Sequence, residues 1–168
     1  MKTINKISIL ALIIAFACAK QETVTPDDMV EAAKAEVNII SVEQANDIIN
    51  GEEIYNLIDV RGPQEHYYGY IPGSVMIPRG SLEFSIGSKD FWEHEGLYEP
   101  EKDEIFVLYC KKGKRSILAA QTLQKLGYTK VYVIDGGWKK WELTYPEYTE
   151  KDLKKLGGGD SHEEVGGC

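Results

Sequence analysis

The sequence predicts an α/β fold: a mostly parallel central sheet of about five strands with helices on both faces. Three observations carry this. Short β-rich runs alternate with helical segments along the chain, which is the pattern of a sheet crossed by helices. The most apolar run, Ile105-Phe106-Val107-Leu108-Tyr109, is unbroken, as expected of a strand buried on both faces of a parallel sheet. At 168 residues, 43% hydrophobic and 27% charged, the chain suits one domain with a real core.

Each element has a local justification. Val37, Ile39 and Ile40 read as a short strand. Ser41 then caps a helix, with Gln44 at the capping-box position and Gly51 past its end. Ile54 to Val60 is β-rich and contains the carboxylate of Asp59. Pro63 to Tyr70 is short and mixed; Ile71-Pro72-Gly73-Ser74 is a turn before a minimal strand at Val75 to Ile77. Ser88 to Glu95 forms a helix with Phe91 and Trp92 as its apolar contacts. After the central strand, a helix runs from Ser116 to Leu126, with Ile117, Ala120, Leu123 and Leu126 on one side and Gly127 as its stop. Lys130 to Ile134 is the last strand, and Gly136-Gly137 turns the chain into Trp138 to Trp141.

Residues 1–19 read as a signal peptide, with Lys2 and Lys6 before an apolar run too short to span a bilayer permanently. The expectation is export to the periplasm or cell envelope. Ala17-Cys18 resembles a bacterial lipoprotein box, which makes Cys18 the lipidation site. Ala15 and Phe16 depart from that box, and Ala15-Phe16-Ala17 and Ala17-Cys18-Ala19 also fit an A-x-A cleavage site. Residues 20–36 are polar and read as a tether, in which Thr25-Pro26-Asp27-Asp28 has the form of a helix start. The folded domain is expected over 37–145, with a tail over 146–168.

The formal net charge of −8 argues against nucleic acid as the partner and leaves a lipid anchor as the one membrane contact. Three dispersed cysteines are too few for a disulfide framework.

One patch runs against this acidity. Cys110-Lys111-Lys112-Gly113-Lys114-Arg115 joins the central strand to a helix and holds four cations in six residues. In open α/β sheets ligands collect outside the carboxyl ends of strands. So short a loop must curl its backbone N–H groups toward the sulfur, making a cradle that favours an anion. The expectation is a thiol with lowered pKa, and a second anion held over it by the same amides and by the basic side chains. The bland alternative is a small buried hydrophobe at a strand end; the basic, glycine-containing loop opening a helix weighs against it.

These residues carry a family resemblance. Cys110 to Ser116, C-K-K-G-K-R-S, resembles the active-site loop of rhodanese-type sulfurtransferases. Asp59-Val60-Arg61 followed by Glu65, then Gly69-Tyr70-Ile71-Pro72-Gly73-Ser74 through Ile77-Pro78, then Asp135-Gly136-Gly137-Trp138 with Trp141, are similar to three further family segments in order and spacing. Tyr70 stands where the family commonly has histidine. The resemblance implies a rhodanese-like fold and an enzyme that moves sulfane sulfur from a small anionic donor such as thiosulfate to a thiol or protein acceptor. It implies Cys110 and Arg115 as catalytic residues. Lys111, Lys112, Gly113, Lys114, Ser116, Asp59 and Arg61 are implied as donor-binding residues. No cofactor is implied beyond the sulfur carried on Cys110 as a persulfide. Read from the residues alone, Arg61 and Glu65 are instead an ion pair bracing the turn.

Rival readings remain. Related phosphatases and arsenate reductases have a cysteine-to-arginine loop one residue longer, whereas Cys110 to Arg115 spans six. A non-catalytic module would use Cys110 to sense sulfur species or bind a partner. A thiol–disulfide enzyme lacks its C-x-x-C spacing here. Cys168, at the end of a glycine-rich stretch, is either a second thiol accepting sulfur from Cys110 or incidental; with His162, Glu163 and Glu164 it makes a poor metal set, and no metal is expected.

Overall fold

The computed structural model describes residues 23–156. The export segment with Cys18, and the stretch from 157 to Cys168, lie outside the described residues. Five strands, β1 (Asn38–Ile40), β2 (Tyr55–Asp59), β3 (Val75–Met76), β4 (Ile105–Tyr109) and β5 (Lys130–Ile134), form one sheet in the order β1-β5-β4-β2-β3. Every neighbouring pair is parallel, as expected. This order puts β4 at the centre, so the loop that follows it opens at the middle of the sheet's carboxyl edge.

Each residue of β4 is buried, and successive side chains point to opposite faces. Phe106 and Leu108 pack in one core with Val30 and Ala33 of α1 (Pro26–Lys34), Trp92 of α5 (Lys89–His94), and Ile117, Ala120 and Leu123 of α6 (Lys114–Lys125). Val107 and Tyr109 pack in the other with Val42 and Ala45 of α2 (Val42–Ile49) and Trp138 and Trp141 of α7 (Gly137–Thr144). An unbroken apolar strand thus serves two cores at once, and helices cover both faces.

The helix starts follow local chemistry. Thr25 and Asp28 form a reciprocal capping box on α1, as do Ser41 and Gln44 on α2, and the Ser88 hydroxyl accepts from the Phe91 N–H at the start of α5. Each satisfies amides that a helix terminus leaves free.

The structure differs from expectation in four places. First, the polar segment read as a tether contains α1, whose Val30 and Ala33 are buried against α6. Two buried side chains one turn apart in nine polar-rich residues leave little apolar pattern to read. Second, a short helix α4 (Leu82–Ser85) stands where none was expected; its Leu82 is fully buried. Third, residues 146–156 are not a free tail. The Tyr148 carbonyl accepts from Trp141 Nε1 at 2.9 Å, Tyr70 and Glu150 exchange main-chain hydrogen bonds, and the Asp152 N–H donates to the Tyr67 carbonyl at 3.0 Å. Those bonds lay α8 (Leu153–Leu156) beside α3 (Pro63–Tyr67). Fourth, α6 begins at Lys114, two residues early, and leaves Leu126 on its C-cap, 39% exposed.

A chain truncated to begin at residue 37 uncovers the α6 surface that Val30 and Ala33 bury. It is expected to lose about 2–4 kcal/mol in urea unfolding relative to one beginning at residue 23.

Candidate active site

β4 delivers Cys110 to the sheet edge on the α6 face, one residue after Tyr109 turns to the α7 face. The cysteine is buried. Gly113 lies in the left-handed region at φ 98°, which glycine enters without a Cβ penalty. That turn brings the Gly113 N–H to 3.2 Å from Cys110 Sγ and opens α6. The Ser116 hydroxyl donates to the Gly113 carbonyl at 2.9 Å and lies 3.7 Å from the same sulfur.

Two features aim further amides at this point. The first main-chain acceptor in α6 is the Gly113 carbonyl, taken by the Ile117 N–H at 3.0 Å. The amides of Lys114, Arg115 and Ser116 have no protein acceptor among the described residues, as the first turn of a helix requires, so this end of α6 favours an anion. On the other side, α7 pins the loop. The Trp138 N–H donates to the Cys110 carbonyl at 2.8 Å, and the Lys139 N–H to the Lys111 carbonyl at 3.1 Å. In a trans peptide the N–H points opposite to the C=O, so these bonds turn the Lys111 and Lys112 amides away from α7. Gly137 makes the approach feasible: a Cβ there would overlap the Cys110 carbonyl oxygen. Gly137 and Trp138 were read as a closing turn, and their grip on the loop is a long-range feature that the sequence pattern did not reveal.

The four cations of the loop are not equivalent. Arg115 donates two hydrogen bonds to Glu65 of α3, at 2.7 and 2.8 Å. These hydrogen bonds hold the Glu65 carboxyl below its ordinary pKa against the opposing effect of partial burial. Lys114 pairs with Asp27 of α1 at 2.7 Å. Lys111 and Lys112 are exposed, and among the described residues neither meets a carboxylate.

Asp59 and Arg61 stand on the neighbouring strand end, but behind the loop. Asp59 is in register with Tyr109 and shares its face, opposite to Cys110. The proposed Arg61–Glu65 pair is absent. Residues two apart on an extended segment share a face, so Arg61 pairs with Asp59 through Nε at 2.9 Å and a terminal nitrogen at 2.6 Å. Arg61 also donates to the Gly69 carbonyl at 2.7 Å and lies about 5 Å from the Tyr109 and Trp138 rings. His66 Nδ1 is 2.9 Å from Asp59 Oδ2, the oxygen that also accepts from the Arg61 terminal nitrogen. Burial alone would push the Asp59 carboxyl up, but the hydrogen bonds from His66 and Arg61 and the Arg61 charge hold it below its ordinary value. Both residues are buried, 0% and 2% exposed, which makes them a brace under Trp138 and Tyr109 rather than a surface for a donor.

Comparison with known proteins bears on the family and the fold. Residues 41–144 match the family model described as the rhodanese-like domain. A putative mitochondrial thiosulfate sulfurtransferase of Schizosaccharomyces pombe is 34% identical over 93 residues, 54% of this chain and 66% of that protein, just under two thirds of its length. A rhodanese domain-containing protein of Drosophila melanogaster is 32% identical over 102 residues, 59% of this chain and 91% of that one. Among solved structures, a Rhodopseudomonas palustris protein described as of unknown function and a possible tyrosine phosphatase is 30% identical with a TM-score of 0.62, covering 76% of this chain and 96% of its own. The human single-domain sulfurtransferase TSTD1 is 27% identical with a TM-score of 0.58, covering 62% and 95%.

Asp59→Asn leaves the Arg61 charge buried without its counter-ion, and a loss of about 3–5 kcal/mol in urea unfolding at neutral pH is expected. A depressed folded-state pKa stabilises above the unfolded value and ceases to do so as pH falls through the folded one. The gap between parent and variant therefore closes below about pH 4; a gap independent of pH would contradict the pairing.

Proposed function

The chain belongs to the rhodanese-like domain family, and from that premise we propose that it is a sulfurtransferase carrying sulfane sulfur on Cys110. The observation that carries this reading is the sulfur at the centre of the sheet edge, with the Gly113 amide 3.2 Å away and the free first-turn amides of α6 beside it. Such donors stabilise negative charge as it moves along a chain of sulfur atoms.

In the first half-reaction the Cys110 thiolate attacks the outer sulfur of thiosulfate. A new S–S bond forms on the cysteine, the S–S bond of thiosulfate breaks, and sulfite leaves with the electron pair. In the second half a nucleophile attacks the outer sulfur of the persulfide: cyanide gives thiocyanate, and a thiolate gives a new persulfide. Either restores the Cys110 thiolate. No histidine base is required, because the nucleophile enters as an anion. Lys111 and Lys112 attract the donor, and Arg115, held by Glu65, supplies a fixed positive charge at the loop. The work is placed in the cell envelope by the reading of residues 1–19.

The phosphatase reading draws on the description of the Rhodopseudomonas palustris protein. The span of six residues from Cys110 to Arg115 favours one sulfur atom over a tetrahedral phosphate. Release of p-nitrophenol from p-nitrophenyl phosphate is expected to be absent.

Incubation with thiosulfate is expected to add the mass of one sulfur atom to the peptide containing Cys110. Cys110→Ser is expected to abolish both this increment and thiocyanate release; retention of either would end the proposal. Replacing Lys111 and Lys112 together by alanine is expected to raise KM for thiosulfate about tenfold with little change in kcat, the pattern of lost ground-state binding. An unchanged KM would remove the two lysines from donor binding.

A further inference from the structure

α1 lies outside the matched residues 41–144 and yet begins beside the Cys110 loop. Its burial of Val30 and Ala33 fixes it on α6, and two contacts set its direction. Asp27 meets Lys114 in the first turn of α6 at 2.7 Å, and Glu36, just past α1, accepts from Gln121 two turns further on at 2.6 Å. The helices therefore run side by side in the same direction, with the start of α1 level with the Cys110 loop.

The acidic side chains of this segment have separate employments. Asp28 is taken up by the capping box with Thr25, Glu31 pairs with Lys34, and Glu36 holds Gln121. Asp27 is the acid of this segment that pairs with a loop residue, and the Glu31 charge adds a lesser contribution at Lys114. Lys114 opens α6 immediately after Gly113, whose amide touches the sulfur, so Asp27 is tied to a residue of the Cys110 loop.

We infer that Asp27 is a specificity-determining residue for the sulfurtransfer reaction: by neutralising Lys114 it lowers the positive charge at the Cys110 loop and so restrains the preference for doubly charged donors. This rests on the reading of Cys110 as the sulfur carrier. With Arg115 held by Glu65, Lys111 and Lys112 are the two loop cations without a carboxylate partner among the described residues. Asp27 acts through Lys114, and because both side chains are exposed the effect is one that salt screens.

The test compares the parent protein with Asp27→Asn at low ionic strength. One measurement is kcat/KM for thiosulfate, a dianion, and for methanethiosulfonate, a monoanion, with cyanide as acceptor. The ratio of dianion to monoanion is expected to rise about two- to fivefold in the variant and to collapse toward the parent's in high salt. Lys114→Met, which leaves the Asp27 charge unopposed, is expected to move the ratio the other way. A second measurement needs no sulfurtransfer: the rates at which iodoacetate and iodoacetamide alkylate the Cys110 peptide, read by mass spectrometry. The anionic reagent is expected to gain on the neutral one in Asp27→Asn. A variant of parental melting temperature with both ratios unchanged would overturn the proposal. Absence of thiocyanate from the parent with either donor would instead remove the sulfurtransferase reading, and the alkylation ratio would still decide whether Asp27 controls charge at the thiol.

Discussion

Two main-chain hydrogen bonds from the start of α7 decide which way the peptides after Cys110 face. The Trp138 and Lys139 amides hold the Cys110 and Lys111 carbonyls toward α7. The donors of the same peptides are left to face away from it. A short loop at a strand end has no strand partner to orient its peptides, so something outside the loop must do so. Here Gly137 permits the contact, since any side chain there would occupy the space of the Cys110 carbonyl oxygen. The Asp59–Arg61 pair lies beneath, with the guanidinium against the Trp138 and Tyr109 rings and bonded to the Gly69 carbonyl. The two sheet faces thus divide their duties: the α6 face presents the nucleophile, and the α7 face holds its peptide planes still.

This division explains which features were legible in the sequence. Capping boxes at Thr25 and Ser41, the buried central strand, the short strand at Val75 and the cysteine at the strand end are local patterns, complete within a few residues. The parallel sheet followed from their alternation. The partners of the charged groups are a different matter. Glu65 was available to either Arg61 or Arg115, and only the alternation of side chains along the strand end, which leaves Arg61 with Asp59, separates the two. Asp27 and Lys114 lie 87 positions apart, and no spacing rule joins them. The start of α1 was legible at Thr25, but its docking on α6 was not, because its contribution to the core is two small side chains. Residues 146–156 escaped notice because main-chain hydrogen bonds, which carry no residue signature, hold much of that segment in place.

The electrostatics of the molecule follow from the same geometry. A chain of net charge −8 concentrates amide donors where the central strand meets α6, and fixes Arg115 with both oxygens of Glu65. The bidentate geometry orients the guanidinium as a free surface arginine would not be oriented. The charge is limited at the same time, because two of the four cations already have carboxylate partners.

A cleft of about 770 Å³ lies beyond the far end of α6, lined by Glu83, Glu99, Glu101 and Asp103 together with Lys102, and it reaches Leu126 and Tyr128. A helix of 12 residues separates that end from the Cys110 loop by about 18 Å. At the C-terminal end Lys102 Nζ donates to the Leu126 carbonyl at 2.8 Å among several carboxylates, while the N-terminal end offers amides without a protein acceptor among the described residues. One helix thus gives its two ends opposite polarity, and the end beside Cys110 is the one suited to the anionic donor proposed above.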